Sequence, residues 1–168
     1  PAHKTIHHIF EEQVEKTPDL PALVDGDRGL TYKELNNRSN QLARGLRQKG
    51  LGAFGIGGIL VDRSMEMILG ILGILKTGGA YLPINPKNPV SRVGFLLEDS
   101  GARVLLTRRH LAADLEEAGR TGGLPGDTGL VILDDRSLVT GDAGNPDLEP
   151  GFVDRPAYVI YTSGSTGK

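Results

Sequence analysis

The 168-residue chain contains no cysteine. That excludes disulfides, thiolate metal sites and cysteine nucleophiles, and it agrees with a cytoplasmic location, where disulfides are rare. Long apolar runs are also missing. The longest, Met67 to Leu75, sits between Glu66 and Lys76 and falls well short of the ~20 residues a bilayer span needs, so it predicts a buried helix. Neither sign of charge dominates: 19 Lys and Arg face 21 Asp and Glu, a formal net charge of −2. That balance gives no reason to expect nucleic acid or a membrane as partner. Residues 1–10 have no apolar core ahead of a small-residue cleavage site, and so no export signal is read there. Histidine is scarce, at four residues. His7 and His8 would point ~100° apart on a helix, without the carboxylate–histidine spacing of a metal site. They are expected at a solvated helix end, and no metal ligands are assigned. No internal repeat or heptad run is present.

What the chain does have is an alternation of helix and strand patterns. Thr5 can cap a helix with Ile6, Ile9, Phe10 and Val14 on one face, ended by Thr17-Pro18. Ala22 to Val24 predicts a short strand and Asp25-Gly26-Asp27 a turn. Thr31 and Glu34 have the spacing of a capping box for a helix carrying Leu35, Leu42, Ala43 and Leu46 inward and closing at Gly50. Ile56 to Val61 predicts a strand weakened by Gly57 and Gly58. Gly70 and Gly73 on the apolar helix that follows would admit a sheet or another helix at close range, and Gly78-Gly79 stops it. Further strands are expected over Ala80 to Ile84, Arg103 to Thr107, Leu130 to Leu133 and Ala157 to Tyr161. Helices are expected over Ser91 to Glu98 and Leu111 to Ala118. Helices between apolar strands predict an α/β fold, a mostly parallel sheet with helices on both faces. Residues 119–129 and 134–156 are rich in Gly, Asp and Pro and are expected as surface loops open to insertion. Arg108-Arg109, Glu116-Glu117 and Asp134-Asp135 are expected on solvated surfaces. Pro1 in place of an initiating Met, and an end at Lys168 inside a motif-like loop, lead to the expectation of a fragment.

That loop carries the chemistry. Tyr158-Val159-Ile160-Tyr161 runs into Thr162-Ser163-Gly164-Ser165-Thr166-Gly167-Lys168. Glycines let backbone N–H groups converge on an anion, hydroxyls of Thr and Ser donate to phosphate oxygens, and a lysine adds charge. In an open α/β sheet, ligands bind at loops beyond the carboxyl ends of strands. A Walker A loop is excluded, because it needs Gly where Thr162 stands and a Ser or Thr after the lysine. The competing reading is a polar loop without a ligand.

The segment YTSGSTGK resembles the phosphate-loop signature of the adenylate-forming superfamily. Three further segments agree in order: Leu30-Thr31-Tyr32-Lys33-Glu34-Leu35; Leu75-Lys76-Thr77-Gly78-Gly79-Ala80-Tyr81-Leu82-Pro83-Ile84-Asn85-Pro86; and Arg92 to Thr107. The AYLPINP stretch with Pro89 and Arg92 is similar to the adenylation domains of nonribosomal peptide synthetases more than to acyl-CoA ligases. Asn85 stands where Asp is usual, Thr77 where Ala is common and Gly58 where a larger apolar residue is expected.

The resemblance implies that residues 1–168 are the amino-terminal portion of an adenylation domain, within the large amino-terminal subdomain of an adenylate-forming enzyme. It implies attack of an amino acid carboxylate on the α-phosphorus of MgATP, release of pyrophosphate, and transfer of the acyl group to a carrier-domain phosphopantetheine thiol. The carboxylate is already ionised at neutral pH, so the first step needs no general base. ATP and Mg2+ are the implied cofactors; the amino acid and the peptidyl carrier and condensation domains are the implied partners. Thr162, Ser163, Gly164, Ser165, Thr166 and Gly167 would hold the β- and γ-phosphates. Lys168 falls on the motif's variable position and is a further candidate only. The alternatives are an acyl- or aryl-CoA ligase of the same superfamily, or a fragment without catalytic activity of its own. No catalytic residue is assigned.

Overall fold

The computed structural model describes residues 4–135, 138, 141–147 and 154–162. Helix α1, Ile6–Lys16, starts where Thr5 accepts a hydrogen bond from the His8 N–H at 3.3 Å. Its buried face differs from the expected one. His7 and Val14 point inward, while Ile6 and Ile9 are exposed. The cause is Lys76, which is buried and donates to Glu11 and, at 3.0 Å, to Asn36. A buried ammonium needs a carboxylate, and turning Glu11 toward it brings His7 and Val14 with it, four and three residues away.

Strands β1, Pro21–Asp25, and β2, Arg28–Thr31, form a two-stranded antiparallel hairpin about a turn in which Gly26 has φ +59°. Only the first of these strands is expected from the sequence. Helix α2, Tyr32–Gln48, opens with the full capping box. The Thr31 N–H donates to Glu34 at 2.8 Å, and the Glu34 N–H donates to Thr31 Oγ1 at 3.2 Å. Leu35, Leu42, Ala43 and Leu46 are all buried, as the pattern requires.

The remaining regular elements are β3, Ile56–Leu60; α3, Met65–Leu75; β4, Ala80–Pro83; α4, Val90–Ser100; β5, Val104–Thr107; α5, Arg109–Thr121; and β6, Gly129–Ile132. The four strands form a parallel sheet in the order β4-β3-β5-β6. One face is covered by α2 and α3, through Leu42, Leu46 and Ile74 against Ile59, Val104, Leu106 and Val131. The other is covered by α4 and α5, through Val93, Leu97 and Leu115 against Leu60, Leu82 and Leu105.

The glycines that look weak in the sequence are where this packing is tightest. A Cβ on Gly70 would lie 2.6 Å from Ile59 Cδ1 in the sheet, and one on Gly73 would lie 2.5 Å from Leu42 Cδ2 on α2. Helix α3 is thus wedged between sheet and helix. Gly58, in β3, leaves room for Leu105 and Leu97, which a Cβ would meet at 3.0 and 3.1 Å. Thr77 is buried, with Oγ1 donating to the Ile74 carbonyl at 2.6 Å and accepting from the Gly79 N–H at 3.2 Å. Asn85 Oδ1 accepts from the Lys87 N–H at 2.9 Å, a turn that aspartate would make equally well.

Residues 141–147, within the 134–156 stretch, are a mostly exposed loop without helix or strand, as expected, and one docked on a helix. Residues 141–147 lie along the polar face of α2. Asn40 donates to the Ala143 carbonyl at 2.7 Å, Arg44 to the Gly144 and Asp142 carbonyls at 2.6 and 2.9 Å, and Asn36 to Asn145 at 2.9 Å. The other loop is shortened by α5, which runs on to Thr121, and Leu124 within it is buried in the core.

Candidate functional site

The chain order reverses at β3: β4 lies on one side of it and β5 on the other. The crevice beyond the carboxyl ends of β3 and β5 is therefore the default ligand site of such a sheet. Here it is filled by the protein's own charges. Arg108, expected at the surface, has a side chain only 20% exposed and reaches Asp62 at 3.1 Å, Glu66 at 3.7 Å and Asp134 at 3.9 Å. Arg28 donates to Glu66 at 2.8 Å, and His110 Nε2 lies 2.9 Å from Asp62. Asp134 also accepts the Arg109 N–H at 2.8 Å, at the start of α5. Burial pushes the Glu66 carboxyl up, but hydrogen bonding from Arg28 and its own backbone N–H and the charges of Arg108 and Arg28 outweigh it and hold the pKa below the ordinary value. Asp62 is likewise held low against burial by Arg108 and His110.

The Gly/Ser/Thr loop is approached along the other side of β4. Residues 157–161, expected as a closing strand, form an isolated parallel bridge between Tyr158 and Tyr81. The Tyr81 N–H donates to the Ala157 carbonyl at 3.0 Å, and the Val159 N–H donates to the Tyr81 carbonyl at 2.9 Å. The next rung would need an N–H on Pro83, which proline lacks, so the ladder stops. Parallel pairing with β4 still aims the chain at the carboxyl end of the sheet, the side on which a phosphate loop is expected.

Side chains hold the approach where the backbone does not. The Tyr161 hydroxyl donates to Asp99 Oδ2 on α4 at 2.6 Å, while its ring packs against the core beneath that helix. Partial burial and Asp99 together push the phenol up to about 12. Further back, the Arg155 guanidinium stacks on the Phe54 ring, 3.6 Å from its centroid. Phe54 itself has φ +66°, a conformation an L-residue adopts only under constraint.

Thr162 is the only residue of the loop among those described. Ser163, Gly164, Ser165, Thr166, Gly167 and Lys168 lie outside them. Among the described residues no group of three or more His, Asp or Glu side chains could hold a metal ion, and no helix is long and apolar enough to cross a membrane. A cleft of about 590 Å³ adjoins the carboxyl ends of β3 and β4, walled by Val61, Met67, Ile71, Pro83 and Ile84 with Lys87. A second, of about 500 Å³, lies between the hairpin and α3, where Arg28 and Glu66 neutralise each other.

Sequence reasoning singles out the loop but not Asp99, Arg108 or Asp134. Asp99 does leave a trace: it is a carboxylate in the last turn of a helix, where the backbone dipole disfavours negative charge.

The AMP-binding enzyme family model matches residues 10–168, through the loop. Gramicidin S synthase 2 from Brevibacillus brevis is 48% identical over 170 residues, covering 100% of this chain and 4% of that protein. Among solved structures, the α-methyl-L-serine-AMP-bound form of the nonribosomal peptide synthetase FmoA3 superposes with a TM-score of 0.85 at 32% identity, covering 98% of this chain and 18% of that one. The N-terminal domain of FACL13 from Mycobacterium tuberculosis gives a TM-score of 0.85 at 28% identity, covering 95% of this chain and 42% of that one. The chain thus spans a small part of the curated relatives it matches.

Proposed function

The chain belongs to the family of AMP-binding enzymes, and from that premise we propose that residues 1–168 are the amino-terminal portion of an amino-acid-activating adenylation domain. The observation that carries this is the 48% identity to a gramicidin synthase over the whole chain, joined to a parallel sheet that aims Thr162 at its carboxyl side. A fatty acyl CoA synthetase from Mycobacterium tuberculosis shares the fold at 27% identity and a TM-score of 0.83, so fold alone does not choose between amino and fatty acids; the higher identity to the gramicidin synthase favours amino acids.

In the proposed reaction a carboxylate oxygen of the amino acid bonds to the α-phosphorus of ATP. The bond from that phosphorus to the bridging oxygen breaks, and pyrophosphate leaves with the electron pair. The loop's work is electrostatic. Donors from Thr162, Ser163, Gly164, Ser165, Thr166 and Gly167 would hold the β- and γ-phosphates, with Lys168 as a further candidate, and would stabilise the charge that grows on pyrophosphate. No described residues form a site for Mg2+, and none of these steps is assigned to it; it is proposed to arrive with the nucleotide. The acyl group would pass to the phosphopantetheine thiol of a carrier domain. That carrier and a condensation domain are the proposed partners.

The test is amino-acid-dependent ATP–pyrophosphate exchange by the full-length protein containing this chain. Activity with an amino acid, and loss of at least tenfold on Thr166→Ala or Gly167→Ala, supports the reading; one oxyanion-type donor is worth roughly that much or more. Exchange driven by fatty or aryl acids instead would overturn it in favour of a ligase acting on those acids. The 168-residue chain alone is expected to show no exchange.

A further inference from the structure

Pro83 ends the backbone pairing of the terminal segment at Val159, three residues before Thr162. Past that point the Tyr161 side chain ties the segment to α4, through its 2.6 Å hydrogen bond to Asp99. We infer that Asp99, acting through Tyr161, is a positioning residue for the nucleotide-phosphate loop, substituting a side-chain tether for the sheet rung that Pro83 removes. The inference rests on the reading of that loop given above.

Three observations support it independently of one another. First, Asp99 stands where a helix does not favour it. The last turn of α4 holds Glu98 and Asp99 and no basic residue, so both carboxylates oppose the helix dipole. A residue that breaks a local rule is explained by a distant partner, and Tyr161, 62 residues away, is that partner. Second, α4 turns a consistent face to the terminal segment. The Tyr161 ring packs against the core cluster to which α4 contributes Val93, Leu96 and Leu97. Third, the segment is clipped at its other end too, by the stack of Arg155 on Phe54. A stretch with two backbone rungs is thereby fixed at both ends, and the Tyr161 end is one residue from Thr162.

A loop that binds a triphosphate through convergent backbone donors depends on where its first residue starts, since displacement near 1 Å at such a site is felt strongly in the reaction. The hydroxyl–carboxylate bond, one residue before Thr162, is one of the contacts that set that start. Asparagine keeps an acceptor oxygen at the same place; alanine does not.

The experiment compares wild type, Tyr161→Phe, Asp99→Ala, Asp99→Asn and the Tyr161→Phe/Asp99→Ala double variant in the full-length protein. It reads KM for ATP and for the amino acid in pyrophosphate exchange, binding of a non-hydrolysable ATP analogue by calorimetry, and the thermal midpoint. The expected result is a rise of roughly tenfold in KM and Kd for nucleotide in Tyr161→Phe and Asp99→Ala, the magnitude of one charged hydrogen bond. KM for the amino acid should stay within twofold, Asp99→Asn should recover most of the loss, and the double variant should be no worse than either single one. Unchanged nucleotide KM and Kd in an otherwise active protein would overturn the tether while leaving the proposed function standing. So would losses in the two single variants that simply add. A wild-type protein that neither binds the analogue nor exchanges pyrophosphate would overturn the functional reading itself, and the inference with it.

Discussion

Replacing Gly94 by alanine should destabilise the fold, although alanine is the better helix former. Gly94 lies inside α4, and a Cβ built there falls 2.4 Å from the carbonyl oxygen of Gly123. An ordinary contact of that kind is about 3.5 Å, so something must give by roughly 1 Å. The obstacle is backbone, and it is held. The Gly123 N–H donates to the Ala118 carbonyl at 2.8 Å, and Gly122 before it is the left-handed C-cap of α5, at φ +81°. Moving that carbonyl therefore disturbs the end of α5. Overpacking of this type costs about 1–3 kcal/mol, against a propensity gain of about 1 kcal/mol for Ala over Gly in a helix interior, leaving a net loss of roughly 0–2 kcal/mol. Gly119, on α5, supplies the control: it is exposed and a Cβ there meets nothing within 4 Å. Gly119→Ala should stabilise by about 0.5–1 kcal/mol. Urea unfolding of the chain, followed by far-UV circular dichroism with m-values compared, measures both. A Gly94→Ala variant stabilised as much as Gly119→Ala would show that the contact of α4 with the α5 terminus is not rigid, and the reasoning would fail.

Stability should also fall on mild acidification because of His7. Burial, with the charges of His8 and Lys76, lowers its pKa from 6.5 to about 4. Between those values the unfolded state binds the proton and the folded state does not, so stability is full above pH 6.5 and is lost as pH drops toward 4. His7→Gln should flatten that slope in urea midpoints measured from pH 7 to 4.5, and an unchanged slope would refute the assignment. Arg108→Met, which leaves Asp62, Glu66 and Asp134 without their shared cation, should cost about 1–2 kcal/mol, within the range for charged hydrogen bonds. Arg108→Lys should restore less than half, since an ammonium cannot spread over three carboxylates as a guanidinium does; full rescue by lysine in the same unfolding assay would contradict this.

Much of the fold was legible because the signals are local. Thr31 and Glu34 mark a helix start three residues apart, and the inward positions of α2 follow its period. Strands β3 to β6 are apolar runs between helices, as a sheet buried on both faces demands. The failures share a different cause. The face of α1 was misread because a buried lysine 65 residues from Glu11 decides which side turns inward. Arg108 was misread because its three carboxylates come from the loop after β3, from α3 and from the loop after β6. The 141–147 stretch is the surface loop its composition indicates, but its docking on α2, about 100 residues away, rests on bonds that composition does not encode.

The candidate site divides the same way. The loop at 162–168 is a contiguous string, and its chemistry can be read from residue types alone, because glycine and hydroxyl side chains act on an anion wherever the strand delivers them. How the strand delivers them is a property of the fold. Tertiary structure put β4 at the sheet edge, set Pro83 opposite the missing rung and brought Asp99 to Tyr161. Sequence specifies interactions that close within a helical turn or a strand period. Contacts that close over 60 to 100 residues depend on which elements the core brings side by side, and only packing decides that.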